Sequence, residues 1–245
     1  FCRDAAAPIV AITGSNAKST VTTLVGLMAE NAGIRVGVGG NLGTPVLELL
    51  SPDNQLYVLE LSSFQLETTH SLHAAAAVIL NVSEDHMDRY KNMQEYCRAK
   101  QRIFRNCEFY ITNSQDNLTV PEVAENVRNS SFGIDAPGPD SWGIIRESGE
   151  AWLAHGPEKL MPSREMMIFG EHNMANALAA IALGSAVGLP MPVMLRTLRE
   201  FPGLPHRCRL VTRQRGIGWY DDSKGTNVGA TLAALEGLGP VLAGK

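Results

Sequence analysis

Cysteine is scarce: the four present, Cys2, Cys97, Cys107 and Cys208, fall at no metal-like spacing. Free thiols in a reducing, cytoplasmic compartment are expected. Excess positive charge is missing too. With 21 Lys and Arg against 25 Asp and Glu the net charge is −4, and no basic run occurs, which argues against a nucleic-acid surface. No long apolar run is present: Ala74–Leu80 is far too short to span a bilayer. What remains, 44% hydrophobic and 19% charged residues, is ordinary for a soluble globular protein. The 245 residues suffice for one large core or two smaller ones. The chain opens on Phe1 rather than Met and stops at Lys245, just after an apolar run begins, which reads as a fragment at both ends.

Residues 9–20, IVAITGSNAKST, carry the strongest signal. An apolar strand runs into a polar turn, then Lys-Ser-Thr, then a helical stretch. This is the layout of a phosphate-binding loop: backbone N–H groups face an anion, a lysine neutralises it, and a hydroxyl behind the lysine ligates magnesium. The spacing is imperfect. Ile12 stands where the first glycine belongs, and Ala17 where the glycine before the lysine belongs.

Strand and helix signals alternate. Strands are expected at Ile9–Thr13, Leu56–Leu61, Ala76–Val82 and Glu108–Thr112. Helices are expected at Ser19–Asn31, Gln94–Asn106, Asn173–Val187 and Met191–Glu200. The rhythm implies an α/β fold, a mostly parallel sheet flanked by helices, with ligands beyond the carboxyl ends of the strands. Residues 133–162 break it and read as a hairpin excursion. A boundary is expected at Phe201-Pro-Gly-Leu-Pro, giving a unit at 1–203 and the start of a second α/β unit at 204–245. The second unit opens with a hairpin, Arg209–Gln214 and Ile217–Asp221.

Several polar residues follow strand ends. Lys18 suits a phosphate and Ser19 a metal, although Ser19 and Thr20 also serve as helix N-caps. Glu60 ends an apolar strand, where a carboxylate needs a partner or a metal unless it faces solvent from an edge. His86, in NVSEDHMDRY, is either a metal ligand or a solvated turn residue. Lys100, beside Arg98 and Arg102, reads from composition as part of a solvated basic face. His206-Arg207 and Asp222-Ser223-Lys224 flank the hairpin and suit phosphate and ribose recognition, or plain hairpin-end polarity.

Taken together, ITGSNAKST, GGNLGTP, LELSSFQLE, LNVSEDHMDRY, GEHNMANALAA, GLPHR and DDSKGTN resemble, in order, the blocks of the Mur ligase family. The resemblance covers essentially the whole chain. It is most specific at SSFQLE and DSKGTN, and points to the member that adds D-glutamate to UDP-N-acetylmuramoyl-L-alanine. Folylpolyglutamate synthases share the phosphate loop but not these blocks. The resemblance implies a P-loop-type central ATPase domain plus the opening of a C-terminal ligase domain. It implies that Gly14, Ser15, Asn16, Ala17, Lys18, Ser19 and Thr20 bind ATP phosphates, with Asn173 and Asn176 near adenine, Asp222 on the ribose and Arg207 closing over ATP. It places two magnesium ions among Ser19, Glu60, His86 and a carbamylated Lys100. It puts Asn41 on the UDP-muramoyl substrate, Ser62 among the substrate-binding residues, and Lys224 and Thr226 at the glutamate site. Lys18, His86, Lys100 and Lys224 are the implied catalytic residues.

The reaction so implied belongs to peptidoglycan biosynthesis. The UDP-N-acetylmuramoyl-L-alanine carboxylate takes the γ-phosphoryl of ATP, and the D-glutamate amine then displaces phosphate. The partners are those small molecules, with no nucleic acid, no membrane and a monomer expected. The alternative is an ATP-binding fragment or impaired homologue without ligase activity, kept open by Ala17.

Overall fold

The computed structural model describes residues 1–122 and 127–242; positions 243–245 of the expected second unit lie outside it. Nine strands form one sheet: β1 (Ile9–Thr13), β2 (Val36–Gly40), β3 (Leu56–Glu60), β4 (Ala76–Ile79), β5 (Phe109–Asn113), β6 (Arg128–Phe132), β7 (Trp142–Glu147), β8 (Glu150–His155) and β9 (Glu158–Pro162). Their order is β2-β3-β1-β4-β5-β6-β7-β8-β9. From β2 to β7 every pair is parallel, and β7-β8-β9 is antiparallel. The helices are α1 (Lys18–Asn31), α2 (Ser63–Thr68), α3 (Met93–Gln101), α4 (Glu171–Ala186), α5 (Met191–Glu200) and α6 (Val228–Leu242).

The central strand explains the layering. All five residues of β1 are buried, and alternate side chains enter opposite cores. Val10 and Ile12 pack with α1, α4 and α5, whereas Ile9 and Ala11 pack with residues of α2 and α3. A parallel strand covered on both faces reads as a continuous apolar run, as IVAIT does. The chain leaves β1 toward one face and leaves β3 and β4 toward the other. The carboxyl end of β1 is therefore a switch point, the place where such sheets bind ligands.

Within residues 133–162 the expected hairpin forms from β7 and β8, but it is no excursion from the sheet. β7, β8 and β9 extend the same sheet through the Phe132–Trp142 pairing. Trp142, Ile144, Leu153 and Met161 are buried in the core shared with α4, which holds the meander in place. The stretch around Cys97 is helical only to Gln101, then tightens into a 3-10 turn at Arg102–Phe104. β4 stops at Ile79, and residues 80–83 leave the sheet to meet the phosphate loop.

Gly40 illustrates how tightly the strand ends are set. Its φ is +108°, and a Cβ there would stand 2.3 Å from the Glu60 carbonyl oxygen. Gly40→Ala should cost about 3 kcal/mol, because strain and overlap add. Urea unfolding that moved by less than about 1 kcal/mol would refute this reading of the β2–β3 edge.

The hairpin strands β10 (Arg209–Gln214) and β11 (Ile217–Asp221) form a two-stranded sheet of their own. Leu210, Val211, Ile217 and Trp219 on it are exposed, as are Val228, Leu232 and Leu235 of α6. Among the described residues no helix is long and apolar enough to cross a membrane.

Candidate nucleotide and metal site

The phosphate loop connects β1 to α1. Gly14 sits at a close approach: a Cβ there would meet the Leu80 Cβ and the Asn16 carbonyl oxygen, each at 3.1 Å. Ala17, the α1 N-cap residue, has φ 66° and ψ −5°, the left-handed conformation that a β-carbon disfavours. Among the described residues no side chain caps α1. The first-turn N–H groups have no partner within the helix and carry the positive end of its dipole.

Two lysines converge on this loop. Lys18 Nζ donates to the Gly14 and Ser15 carbonyls at 2.9 and 3.1 Å. Lys100 Nζ donates to the same Gly14 oxygen at 2.8 Å and lies 4.5 Å from the centre of the Tyr96 ring. Lys100 is only 1% exposed, so the solvated-face reading is wrong; its neighbour Arg98 does face solvent. Helical geometry separates them, since residues two apart point to different sides. Burial pulls the Lys100 amine down to about 7, helped by the charge of Lys18. Burial also lowers Lys18, opposed by the nearby Glu60 and Asp85 carboxylates.

Glu60 is 2% exposed. Its Oε1 accepts from Asn41 Nδ2 at 2.8 Å, while Oε2 is buried without a hydrogen-bond partner among the described residues. A buried carboxylate oxygen left unpaired is costly unless a cation meets it. His86 is exposed, with φ 56°. Its ring packs 4.9 Å from that of Phe64, and its Nε2 lies 3.8 Å from Asp85. No hydrogen bond or ion pair joins Ser19, Glu60, His86 and Lys100 to one another among the described residues. No three His, Cys, Asp or Glu side chains there gather as a metal cluster.

Beside the loop lies a cavity of about 370 Å³. Its lining brings together Ala17 and Thr20 with Asn173 and Asn176 of α4 and with Arg207 and Asp222 beside the hairpin. The hairpin ends are tied together there: Cys208 N–H donates to Asp222 Oδ1 at 3.0 Å and Lys224 N–H to the His206 carbonyl at 3.1 Å. Asn41, Ser62, Lys224 and Thr226 do not line the cavity. Ser62 is engaged in a capping box: Gln65 N–H donates to its Oγ, and its own N–H donates to Gln65 Oε1. Ser62→Ala should therefore cost about 1 kcal/mol of stability; an unchanged denaturation midpoint would show that the box contributes nothing.

Sequence reasoning passed over Asn81, His172 and Tyr96. Asn81 and His172 line the cavity, and Tyr96 Oη sits 3.1 Å from Ser15 Oγ. The first two lie inside the quoted blocks, but neither residue type signals a role at its position.

A family model described as the Mur ligase middle domain matches residues 12–184, most of the chain. The chain belongs to the Mur ligase family. It is 59% identical to a protein of Pseudomonas aeruginosa named UDP-N-acetylmuramoylalanine--D-glutamate ligase, covering 100% of this chain and 55% of that one. A Hahella chejuensis protein of the same name is 55% identical, with the same coverage. The chain thus spans about half the length of the curated relatives it matches. Among solved structures, MurF of Acinetobacter baumannii superposes with TM-score 0.76 at 24% identity, over 96% of this chain and 55% of that one. A pseudomurein peptide ligase type C of Methanothermus fervidus gives 0.68 at 17% identity, over 84% and 52%. These last two speak for the shared fold.

Proposed function

We propose that this chain is the ATP-binding part, residues 1–203, and the start of the closing part, residues 204–245, of a cytoplasmic, monomeric ligase. The enzyme joins D-glutamate to UDP-N-acetylmuramoyl-L-alanine through an acyl phosphate. The observation that carries the reading is the cavity at the α1 N-terminus, which gathers Ala17, Asn173, Asn176, Arg207 and Asp222 from three separate stretches of chain. Whole-chain identity to ligases of that name supports it.

Each residue then has a physical task. The N–H groups of Ala17 to Thr20 and the Lys18 amine face the phosphates. Asn173 and Asn176 hydrogen-bond the base, Asp222 takes the ribose hydroxyls, and Arg207 neutralises phosphate charge as the hairpin side closes. Asn41 reaches the sugar-nucleotide substrate; Lys224 and Thr226, both exposed, are left for D-glutamate. Water exclusion by that closure protects the acyl phosphate.

The unpaired Glu60 carboxylate oxygen, a hard donor, suits magnesium. Ser19, Glu60, His86 and Lys100 would hold it, and it would offset charge on the transferring phosphoryl group. Lys100 would serve only as a carbamate: its neutral amine adds to the carbon of CO2 and releases one proton, turning an uncharged nitrogen group into an anionic oxygen ligand.

Assaying phosphate release from ATP by the full-length protein, with UDP-N-acetylmuramoyl-L-alanine and each of several amino acids, tests the reading. D-glutamate should be strongly preferred; equal rates with another amino acid would overturn the substrate assignment. Ala17→Gly should tighten ATP binding about threefold by removing the β-carbon from a left-handed, cavity-facing position. An unchanged calorimetric affinity would show that the loop tolerates the methyl group.

A further inference from the structure

We propose that Asn81 is the positioning residue of the phosphate loop, holding it ready for an anion and keeping Ala17 left-handed. The inference rests on the nucleotide reading above. Asn81 lies just beyond β4, beside the loop. Its side-chain amide takes both polar groups of Asn16: Oδ1 accepts from the Asn16 N–H at 2.8 Å, and Nδ2 donates to the Asn16 carbonyl at 3.2 Å. Its own backbone carbonyl accepts from the Ser15 N–H at 2.9 Å. Three bonds thus fix the two residues immediately before Ala17.

They also sort the loop's donors. The Ser15 and Asn16 N–H groups are consumed inside the protein, so the donors left for an anion begin at Ala17 and continue into the first turn of α1. Alanine left to itself prefers the right-handed region, and a strained residue persists only where its surroundings over-determine it. The segment bearing Asn81 is itself braced. Asn113 Nδ2 donates to the Leu80 carbonyl at 3.0 Å, the Val82 N–H donates to Asp116 Oδ2 at 2.7 Å, and Ser15 Oγ donates to the Ser83 carbonyl at 2.9 Å. Strand β5 and its following turn therefore register the loop through Asn81.

Two measurements on the full-length protein test this. In calorimetric titration with ATP and magnesium, Asn81→Ala should weaken binding about tenfold, the scale of two lost hydrogen bonds. In an Ala17→Gly background the same change should weaken it only about threefold, because glycine enters the left-handed region freely. Equal penalties in the two backgrounds would mean that Asn81 acts by touching nucleotide directly, and would overturn the proposal. The second measurement needs no variant to fold. In nucleotide-free wild-type protein the Asn16 amide should exchange its hydrogen at least about tenfold more slowly than the Ala17 amide. Equally fast exchange overturns the clamp. Wild-type protein that fails to bind ATP would sink the nucleotide reading, while the exchange data would still decide the clamp.

Discussion

Glu60→Gln should lower ATP turnover by the full-length protein about a thousandfold while leaving its melting temperature unchanged or higher. The carboxylate sits at the carboxyl end of β3, 2% exposed, with one oxygen satisfied by Asn41 and the other, among the described residues, by nothing. In a protein without its cation that second oxygen is a liability, because burial removes water and returns no bond. Glutamine keeps the shape and the acceptor facing Asn41 but removes the charge. If Glu60 were structural, losing it would lower stability and activity together. If it holds magnesium, stability stays or rises while turnover collapses, and the magnesium dependence of ATP binding flattens. Thermal melts beside phosphate-release assays separate the two. Near-normal turnover in Glu60→Gln would remove Glu60 from the metal site.

Glu60 also shows why part of this site was legible in the sequence. A carboxylate closing an apolar run is conspicuous, and so is a lysine in a strand-to-helix turn, because each residue type conflicts with its immediate neighbours. The parallel core was readable for the same local reason: LYVLE and IVAIT are continuous apolar runs bounded by turns. Lys100 was not readable from composition. Its helix, MQEYCRAKQ, carries two basic residues, Arg98 and Lys100, and only the register of that helix against Tyr96 and the Gly14 carbonyl decides which of them is buried. The meander at 142–162 was half visible. Its turns announced strands, but joining the main sheet depends on Phe132 meeting Trp142, a pairing that nothing local specifies. Asn81 was invisible because its partners are backbone atoms 65 residues away in sequence.

Lys100→Ala should abolish turnover in the full-length protein, and a small carboxylate such as acetate should restore part of it. The amine is buried, touches the Gly14 carbonyl beside Lys18, and is pulled down to about 7. A cation in that place would repel magnesium. A largely neutral amine near pH 7.5 can instead add CO2 and become an anionic ligand, and acetate entering the space left by alanine would replace that ligand's oxygens. Carbon-13 bicarbonate should label wild-type protein at a carbamate shift absent from Lys100→Ala. The folding equilibrium carries its own signature in carbonate-free buffer. The folded pKa lies below the unfolded value of 10.5, so between about pH 7 and 10.5 the unfolded chain binds more protons. Wild-type stability relative to Lys100→Met should therefore rise as pH climbs through that window and level off below about pH 7. A flat difference would mean that the amine is solvated and charged throughout. With it would go the physical reason for a carbamate, whatever acetate did to the activity.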